Sequence, residues 1–144
     1  MFFSIICPTF NSSVFLEKTL NSLLAQTYKK FEIIFSDDGS YDNTIEILEN
    51  YRSKFSDIGI NIIILKNKHA GPGYARNQAL RVAKNDWVSF IDSDDLWSSD
   101  KLLKVSDFLK KNDNYNCVLH RQYFLGSNNQ IKKYDFDKYF NFKL

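Results

Sequence analysis

Along the first hundred residues, short runs rich in β-branched and aromatic side chains alternate with stretches whose apolar positions repeat at helical spacing. Phe3 to Cys7 predicts a first strand. Leu16, Leu20, Leu23 and Leu24 then recur at i, i+4, i+7 and i+8, which predicts a helix with one apolar stripe and Ser12 or Ser13 as its cap. Phe31 to Phe35 predicts a second strand. Ile45, Leu48, Tyr51 and Phe55 predict the inner face of a second helix, and Gly59 closes the loop beyond it. Ile60 to Leu65 predicts a third strand, and Ala70-Gly71-Pro72-Gly73 leads into a helix with Ala75, Ala79, Val82 and Ala83 on its packing side. Trp87 to Ile91 predicts a fourth strand. Leu102, Val105 and Leu109 mark a helix ending in Lys110-Lys111-Asn112, where cations suit the helix dipole. Asn116 to Leu125 predicts a fifth strand, Gly126 to Gln130 a turn, Ile131 to Tyr134 an edge strand, and Asp135 to Leu144 an aromatic tail without a period. The alternation is that of a mostly parallel sheet wrapped by crossover helices, an α/β fold. With no internal repeat and no linker, residues 1–144 are expected to form one domain.

Charge changes this picture little at first. The 144 residues carry 19 Lys and Arg against 17 Asp and Glu, a balance that disfavours a dedicated nucleic-acid binder. The balance hides an asymmetry: residues 1–100 are net −3 and residues 101–144 net +5, so the last third suits an anionic surface. Cys7 and Cys117 stand far apart with no metal-ligand spacing, and two buried, reduced thiols are expected. No apolar run approaches the roughly 20 residues of a membrane span, and Met1-Phe2-Phe3-Ser4 lacks the basic leader of a secretion signal. A cytoplasmic protein is therefore expected.

In an open α/β sheet, ligands bind beyond the carboxyl ends of the strands, where loop amides and helix N-termini converge. Three polar clusters fall there: Pro8-Thr9-Phe10-Asn11, Ser36-Asp37-Asp38-Gly39-Ser40 and Asp92-Ser93-Asp94-Asp95. Asp38 alone reads equally as a turn residue before a helix cap. Three carboxylates within Asp92 to Asp95 repel one another unless a cation or donors offset them, which favours a ligand role. Gly71-Pro72-Gly73-Tyr74-Ala75-Arg76-Asn77 opens a helix, a place suited to anionic groups, with Arg76 as a phosphate or base contact. The combination suggests a nucleotide-linked substrate. Carboxylates at i and i+2 can hold a hard divalent ion that neutralises a departing diphosphate, and Asp38 could accept the N–H of a pyrimidine. His69 reads as a solvated loop histidine or as a phosphate contact, and His120 is unassigned.

Five segments, Ser4 to Asn11, Leu23 to Tyr28, Glu32 to Ser40 with Asp42-Asn43-Thr44, Gly71 to Asn77 and Phe90 to Asp95, together resemble glycosyltransferase family 2, inverting enzymes of GT-A fold. The resemblance runs from about residue 3 to residue 110, a nucleotide-binding part, and leaves 111–144 as an incomplete acceptor-side part. It implies a three-layer, Rossmann-like sheet, truncated at the acceptor side, and transfer of a sugar from a nucleotide sugar, usually a UDP sugar, to a hydroxyl acceptor with Mn²⁺ or Mg²⁺. By motif position Pro8, Thr9, Phe10 and Asn11 would line the nucleotide pocket, Asp38 would bind uracil, and Gly71 and Arg76 would lie near the nucleotide. Asp94 would be the metal contact, Asp92 with Ser93 would lie nearer the ribose and phosphates, and Asp95 is an alternative metal ligand. The acceptor would be a saccharide or lipid-linked saccharide of bacterial surface polysaccharide, met by peripheral contact at the inner face of the membrane.

One departure stands out. The family's general base comes from a later acidic residue, and Asp135 and Asp137, the only acids after Asp113, sit in no family motif, so no base is assigned. The tail aromatics Tyr134, Phe136, Tyr139, Phe140 and Phe142 would promote association into homo-oligomers if exposed. Three other readings compete: a nucleotide-binding module without transfer activity, a phospho-receiver domain, and a dinucleotide oxidoreductase. The receiver lacks its acidic pair after the first strand, and no GxGxxG follows that strand for the oxidoreductase.

Overall fold

The structure is a computed structural model, and it describes residues 1–112 and 114–119 together with the backbone of 123–125 and 131–133. The chain divides into two units, Met1–Lys110 and Lys111–Leu144. The first contains β1 (Phe3–Thr9), α1 (Ser13–Leu24), β2 (Phe31–Asp37), α2 (Thr44–Asp57), β3 (Asn61–Lys66), α3 (Pro72–Val82) and β4 (Trp87–Phe90). It also holds nearly all of α4 (Lys101–Lys111). In the second, β5 (Tyr123–Leu125) pairs antiparallel with β6 (Ile131–Lys133).

The four strands of the first unit form a parallel sheet in the order β3-β2-β1-β4. Phe3 lies opposite Phe31 on one side and Trp87 on the other, and Thr9 opposite Asp37. Every residue of β1 and β2 is buried, as expected of central strands covered on both faces. Right-handed crossovers explain the cover: the chain steps from β1 to β2 to β3 through α1 and α2 on one face, then returns across the sheet to β4 through α3 on the other. Ile6 and Ile34 pack with Ala79 of α3, bordered by Ile63, Leu65, Val82 and Val88. Small residues at Ala75 and Ala79, both fully buried, let α3 lie close on the strands.

β1 and β2 run two residues further toward the site than the apolar pattern predicted and β3 one, whereas β4 stops at Phe90, one short of the predicted Ile91. β1 continues through Pro8 and Thr9 by pairing with Ser36 and Asp37 of β2; on the β4 side Ile6 carbonyl O accepts from Ile91 N, and Pro8, two residues on, faces that side past the end of β4. Among the described residues no ladder partner lies there, so the N–H that proline lacks is not needed. On α2 the buried face is Thr44, Leu48, Tyr51 and Phe55, with Thr44 in the place expected of Ile45. The fifth strand is shorter than predicted: residues 114–119 are irregular, since Asn112, Asn114 and Asn116 favour turns over a ladder. Cys7 is buried, but Cys117 lies in this irregular stretch and is exposed, against expectation. His120, the 126–130 turn, the tail aromatics, Asp135 and Asp137 lie outside the described residues. Among the described residues no helix is long and apolar enough to cross a membrane.

Candidate functional site

The strand order reverses between β1 and β4, so the crevice of this sheet opens at their carboxyl ends. Four connections meet along that edge: residues 10–12 after β1, 38–43 after β2, 67–71 after β3 and 91–100 after β4.

The two neighbouring acids after β2 do different work. Asp37 folds its own turn: Oδ2 accepts from Gly39 N (3.1 Å) and Ser40 N (2.8 Å), while Oδ1 accepts from Ser40 Oγ and, at 2.9 Å, from Thr9 Oγ1. Asp38 reaches across to the connection before α3. Its Oδ1 accepts from Ala70 N and its Oδ2 from Gly71 N, both at 2.8 Å, and His69 Nδ1 lies 2.8 Å from Oδ2. The carboxylate is buried, yet it accepts charge-assisted bonds from backbone amides at a helix start. Two glycines permit the arrangement. Gly71 adopts φ +92° at the N-cap of α3, and a Cβ on Gly39 (φ +81°) would come within 3.1 Å of His69 N. Asn67 completes the join by donating from Nδ2 to Ser36 Oγ and Asp37 O, both at 2.9 Å.

The starts of α1 and α2 are tied together. Ser12 holds the N-cap position of α1 but does not cap it with its side chain; its Oγ lies 2.8 Å from Ser93 Oγ on the loop after β4. The α1 amide at Ser13 is taken instead by Asp42 Oδ2 (3.0 Å), whose Oδ1 accepts from Thr44 N (3.0 Å) and from Thr44 Oγ1 at the start of α2. Burial raises the Asp42 pKa, but the bonds from Thr44 and Ser13 outweigh it and hold the carboxyl at about 2. One carboxylate thus serves two helix N-termini. Asn11, at φ +47°, accepts Tyr41 N on its Oδ1 (3.0 Å), and Phe10 stands half-exposed with the His69 ring stacked on it at 4.5 Å.

The acidic loop is anchored from beneath. Thr19 of α1, fully buried, donates from Oγ1 to both Ser93 O and Asp95 O at 2.9 Å, the carbonyls on either side of Asp94. Asp95 N closes a turn on Asp92 O at 3.0 Å. Arg76 of α3 reaches Asp92 Oδ1 at 2.5 Å, so α3 and the loop after β4 meet through an ion pair. Burial pushes the Asp95 carboxyl up, repulsion from Asp92 and Asp94 adds to it, and Lys101 opposes. Lys101, at the start of α4, is buried with its Nζ 3.2 Å from the centroid of the Trp97 ring and, among the described residues, without a hydrogen-bond partner. Burial drops its pKa to about 7 against the pull of Asp95. The Cys7 thiol beneath the edge is pushed well up by burial first and then by Asp92, which makes it an inert packing group.

These positions bear on the expected metal trio. Among the described residues no three His, Cys, Asp or Glu side chains converge as a ready-made metal site, so Asp92, Asp94 and Asp95 are not brought together as one ligand set. The reason is electrostatic: like charges spread apart, and Asp92 turns to Arg76. Asp94 and Asp95 keep carboxylates without an ion-pair partner among the described residues, and the repulsion that raises Asp95 is what a hard divalent ion would relieve. Asp94 and Asp95 are therefore the two carboxylates that would meet such an ion. Of the other expected residues, Thr9 is buried with its hydroxyl on Asp37, Pro8 is buried in β1, and Phe10, Asn11, Asp38, Gly71, Arg76 and Ser93 do line the common edge. Asp37, Thr19, Asn67 and Lys101 carry no sequence signal strong enough to separate them from turn, core or solvated residues, and His69, read as solvated or as a phosphate contact, sits instead on Asp38 and Phe10.

A doubly wound parallel sheet, with an acid beneath a glycine-opened helix start and an acidic loop at its switch point, defines an open α/β domain whose ligand edge lies at the strand carboxyl ends. The chain belongs to glycosyl transferase family 2, whose profile matches residues 4–144. It is 39% identical over 111 residues to the poly(ribitol-phosphate) beta-N-acetylglucosaminyltransferase TarS of Staphylococcus aureus, covering 76% of this chain and 19% of that protein. It is 37% identical over 131 residues to the UDP-Glc:alpha-D-GlcNAc-diphosphoundecaprenol beta-1,3-glucosyltransferase WfgD of Escherichia coli, covering 89% of this chain and 48% of WfgD. The crystal structure of TarS 1–349 in complex with UDP-GlcNAc superposes with TM-score 0.70 at 37% identity, over 78% of this chain and 32% of that one. The mannosyltransferase PcManGT of Pyrobaculum calidifontis, in complex with GDP-Man and Mn²⁺, gives 0.66 at 27% identity over 74% and 32%. The sheet and its flanking helices are thus those of the GT-A glycosyltransferases. The chain spans about a fifth of the length of TarS and half that of WfgD.

Proposed function

We propose that this chain carries the donor-binding half of a sugar transferase of bacterial surface-glycan synthesis. It takes a nucleotide sugar, a UDP sugar by preference, and delivers the sugar to a hydroxyl of a saccharide or lipid-linked saccharide. The observation that carries this reading is the meeting of Asp38 with the Gly71 helix start, and of Arg76 with the acidic loop, along one sheet edge. Phe10 offers a flat apolar face and Asp38 an acceptor for a pyrimidine N–H, while Asn11 and Gly71 border the same pocket. Arg76 and the amides that open α3 suit the diphosphate. Asp94, with Asp95 or Asp92, would hold Mn²⁺ or Mg²⁺, and such an ion supplies neutralisation of the departing diphosphate. TarS, whose structure contains UDP-GlcNAc, supports the uridine preference, and PcManGT with GDP-Man and Mn²⁺ supports the metal.

An inverting transfer also needs one carboxylate to deprotonate the acceptor hydroxyl, and none of the described acids is assigned that role. The lipid-linked acceptor in the name of WfgD, together with the net +5 of residues 101–144, supports a peripheral contact with anionic membrane. Release of UDP from a panel of UDP sugars, with and without acceptor, tests the reading. Slow metal-dependent donor hydrolysis or transfer supports it, whereas binding of UDP with no turnover in either condition makes the chain a nucleotide-binding module.

A further inference from the structure

The pocket assigned to the base contains a ring of the protein's own. His69 is stacked on Phe10, with ring centroids 4.5 Å apart and planes 25° from parallel. Its Nδ1 lies 2.8 Å from Asp38 Oδ2 and 3.1 Å from Asp38 carbonyl O. Both neighbours are acceptors only, so Nδ1 carries the proton and donates. A flat ring on Phe10 with an N–H on the Asp38 carboxylate is the pair of contacts that a pyrimidine would make there. The Asp38 side chain is only 3% exposed, whereas His69 is 62% exposed, so the imidazole is the outer, displaceable layer over a buried carboxylate. The remaining bonds of Asp38 come from Ala70 N and Gly71 N, and these need not break for the imidazole to leave.

We infer that His69 is an internal stand-in for the nucleobase, a gating residue that closes the base pocket of the free protein and is exchanged for the base on binding. The inference rests on the donor-site reading above. In the exchange Asp38 keeps its two amide bonds and trades one N–H donor for another, and Phe10 trades one stacked ring for another. The net affinity is then reduced by whatever the His69 contacts contribute to the closed state. A ligand that cannot stack on Phe10 and donate to Asp38 together cannot displace the histidine, so the gate also sharpens selection among nucleotides.

Two readouts test this on the full chain, with UDP as the probe. Calorimetric titration of UDP into the wild type and His69→Ala should show tighter binding by the variant, by about five- to tenfold, since one stacked, hydrogen-bonded ring no longer competes. The chain has two histidines, so imidazole NMR signals are assigned by the same variant. In the free wild type, the His69 ring protons should be shifted upfield by Phe10 and should lose that shift when UDP is added. A wild type that binds UDP with His69 signals unmoved, or a His69→Ala variant that binds more weakly, overturns the gate and leaves the donor site standing. UDP binding by neither protein overturns the donor site and the gate together.

Discussion

Thr19→Val removes one oxygen from the buried interior while keeping the shape of the side chain. The hydroxyl it deletes is the shared donor to Ser93 O and Asp95 O, both 2.9 Å away, and Thr19 is fully buried. A net hydrogen bond contributes about 1 kcal/mol, and a carbonyl left without its donor adds a cost of similar size, so the loss should be about 1–2 kcal/mol. For a chain of 144 residues this corresponds to a fall in Tm of roughly 3–7 °C. The second effect is local. The two carbonyls bracket Asp94, so freeing them loosens the direction of its carboxylate, and the Mn²⁺-dependent gain in UDP affinity should drop by about tenfold. Thr19→Ser is the control: it keeps the hydroxyl, loses a methyl group, and should cost about 1 kcal/mol of stability with the metal dependence retained. Thermal unfolding by circular dichroism and UDP titrations with and without Mn²⁺ read both quantities. A Thr19→Val protein with unchanged metal dependence refutes the anchoring role, whatever its Tm.

Other perturbations separate the site from its scaffold. Lys101 has a folded pKa near 7 against 10.5 when free, so the unfolded chain binds more protons between those values and stability rises with pH across that window. Lys101→Met should therefore stabilise the protein, by about 1–3 kcal/mol at pH 6 and by much less above pH 10, read from denaturant midpoints at the two pH values. Glu32 lies at the opposite edge of the sheet, where Oε1 accepts from Ser4 Oγ (2.7 Å) and Lys84 N (2.9 Å). Glu32→Ala should cost about 2–4 kcal/mol and leave UDP affinity unchanged; a parallel loss of affinity would show that the two edges are coupled. Asp94→Asn should abolish most of the metal-dependent part of UDP binding, whereas Asp38→Asn should weaken binding equally with and without Mn²⁺. Equal behaviour of the two variants in both conditions would contradict their assigned roles.

Much of this arrangement was legible in the sequence because it depends on local periodicity. The leucines at 16, 20 and 23 mark the buried stripe of α1, and the β-branched runs mark β1 to β3. The carboxyl-end rule places Pro8 to Asn11, Asp38 and the acidic loop on one edge, and the helix-opening Gly71–Asn77 segment separately marks Arg76 as an anion contact. What the sequence hid are bonds between residues far apart in the chain. Thr19 reads as one more helical position until the fold sets it under Ser93 and Asp95, more than 70 residues away. Asp37 and Asp38 are adjacent acids whose different tasks follow from the pleat, which turns one toward its own turn and the other toward α3. His69 reads as a solvated loop residue or a phosphate contact until Gly39 and Phe10 bring it over Asp38. The exposure of Cys117 escaped notice because burial statistics for cysteine ignore the asparagine-rich stretch around it.

In the proposed function this edge binds a uridine nucleotide through a base pocket at Asp38 and an acidic loop that recruits a divalent ion. Isothermal titration of the chain with UDP, and with ADP and GDP as controls, each with and without Mn²⁺, tests it most directly. Binding should be selective for UDP and strengthened by Mn²⁺ at least tenfold, since the ion would neutralise phosphate charge beside Asp94 and Asp95. Equal affinity for all three nucleotides, or no heat with any of them, would contradict it.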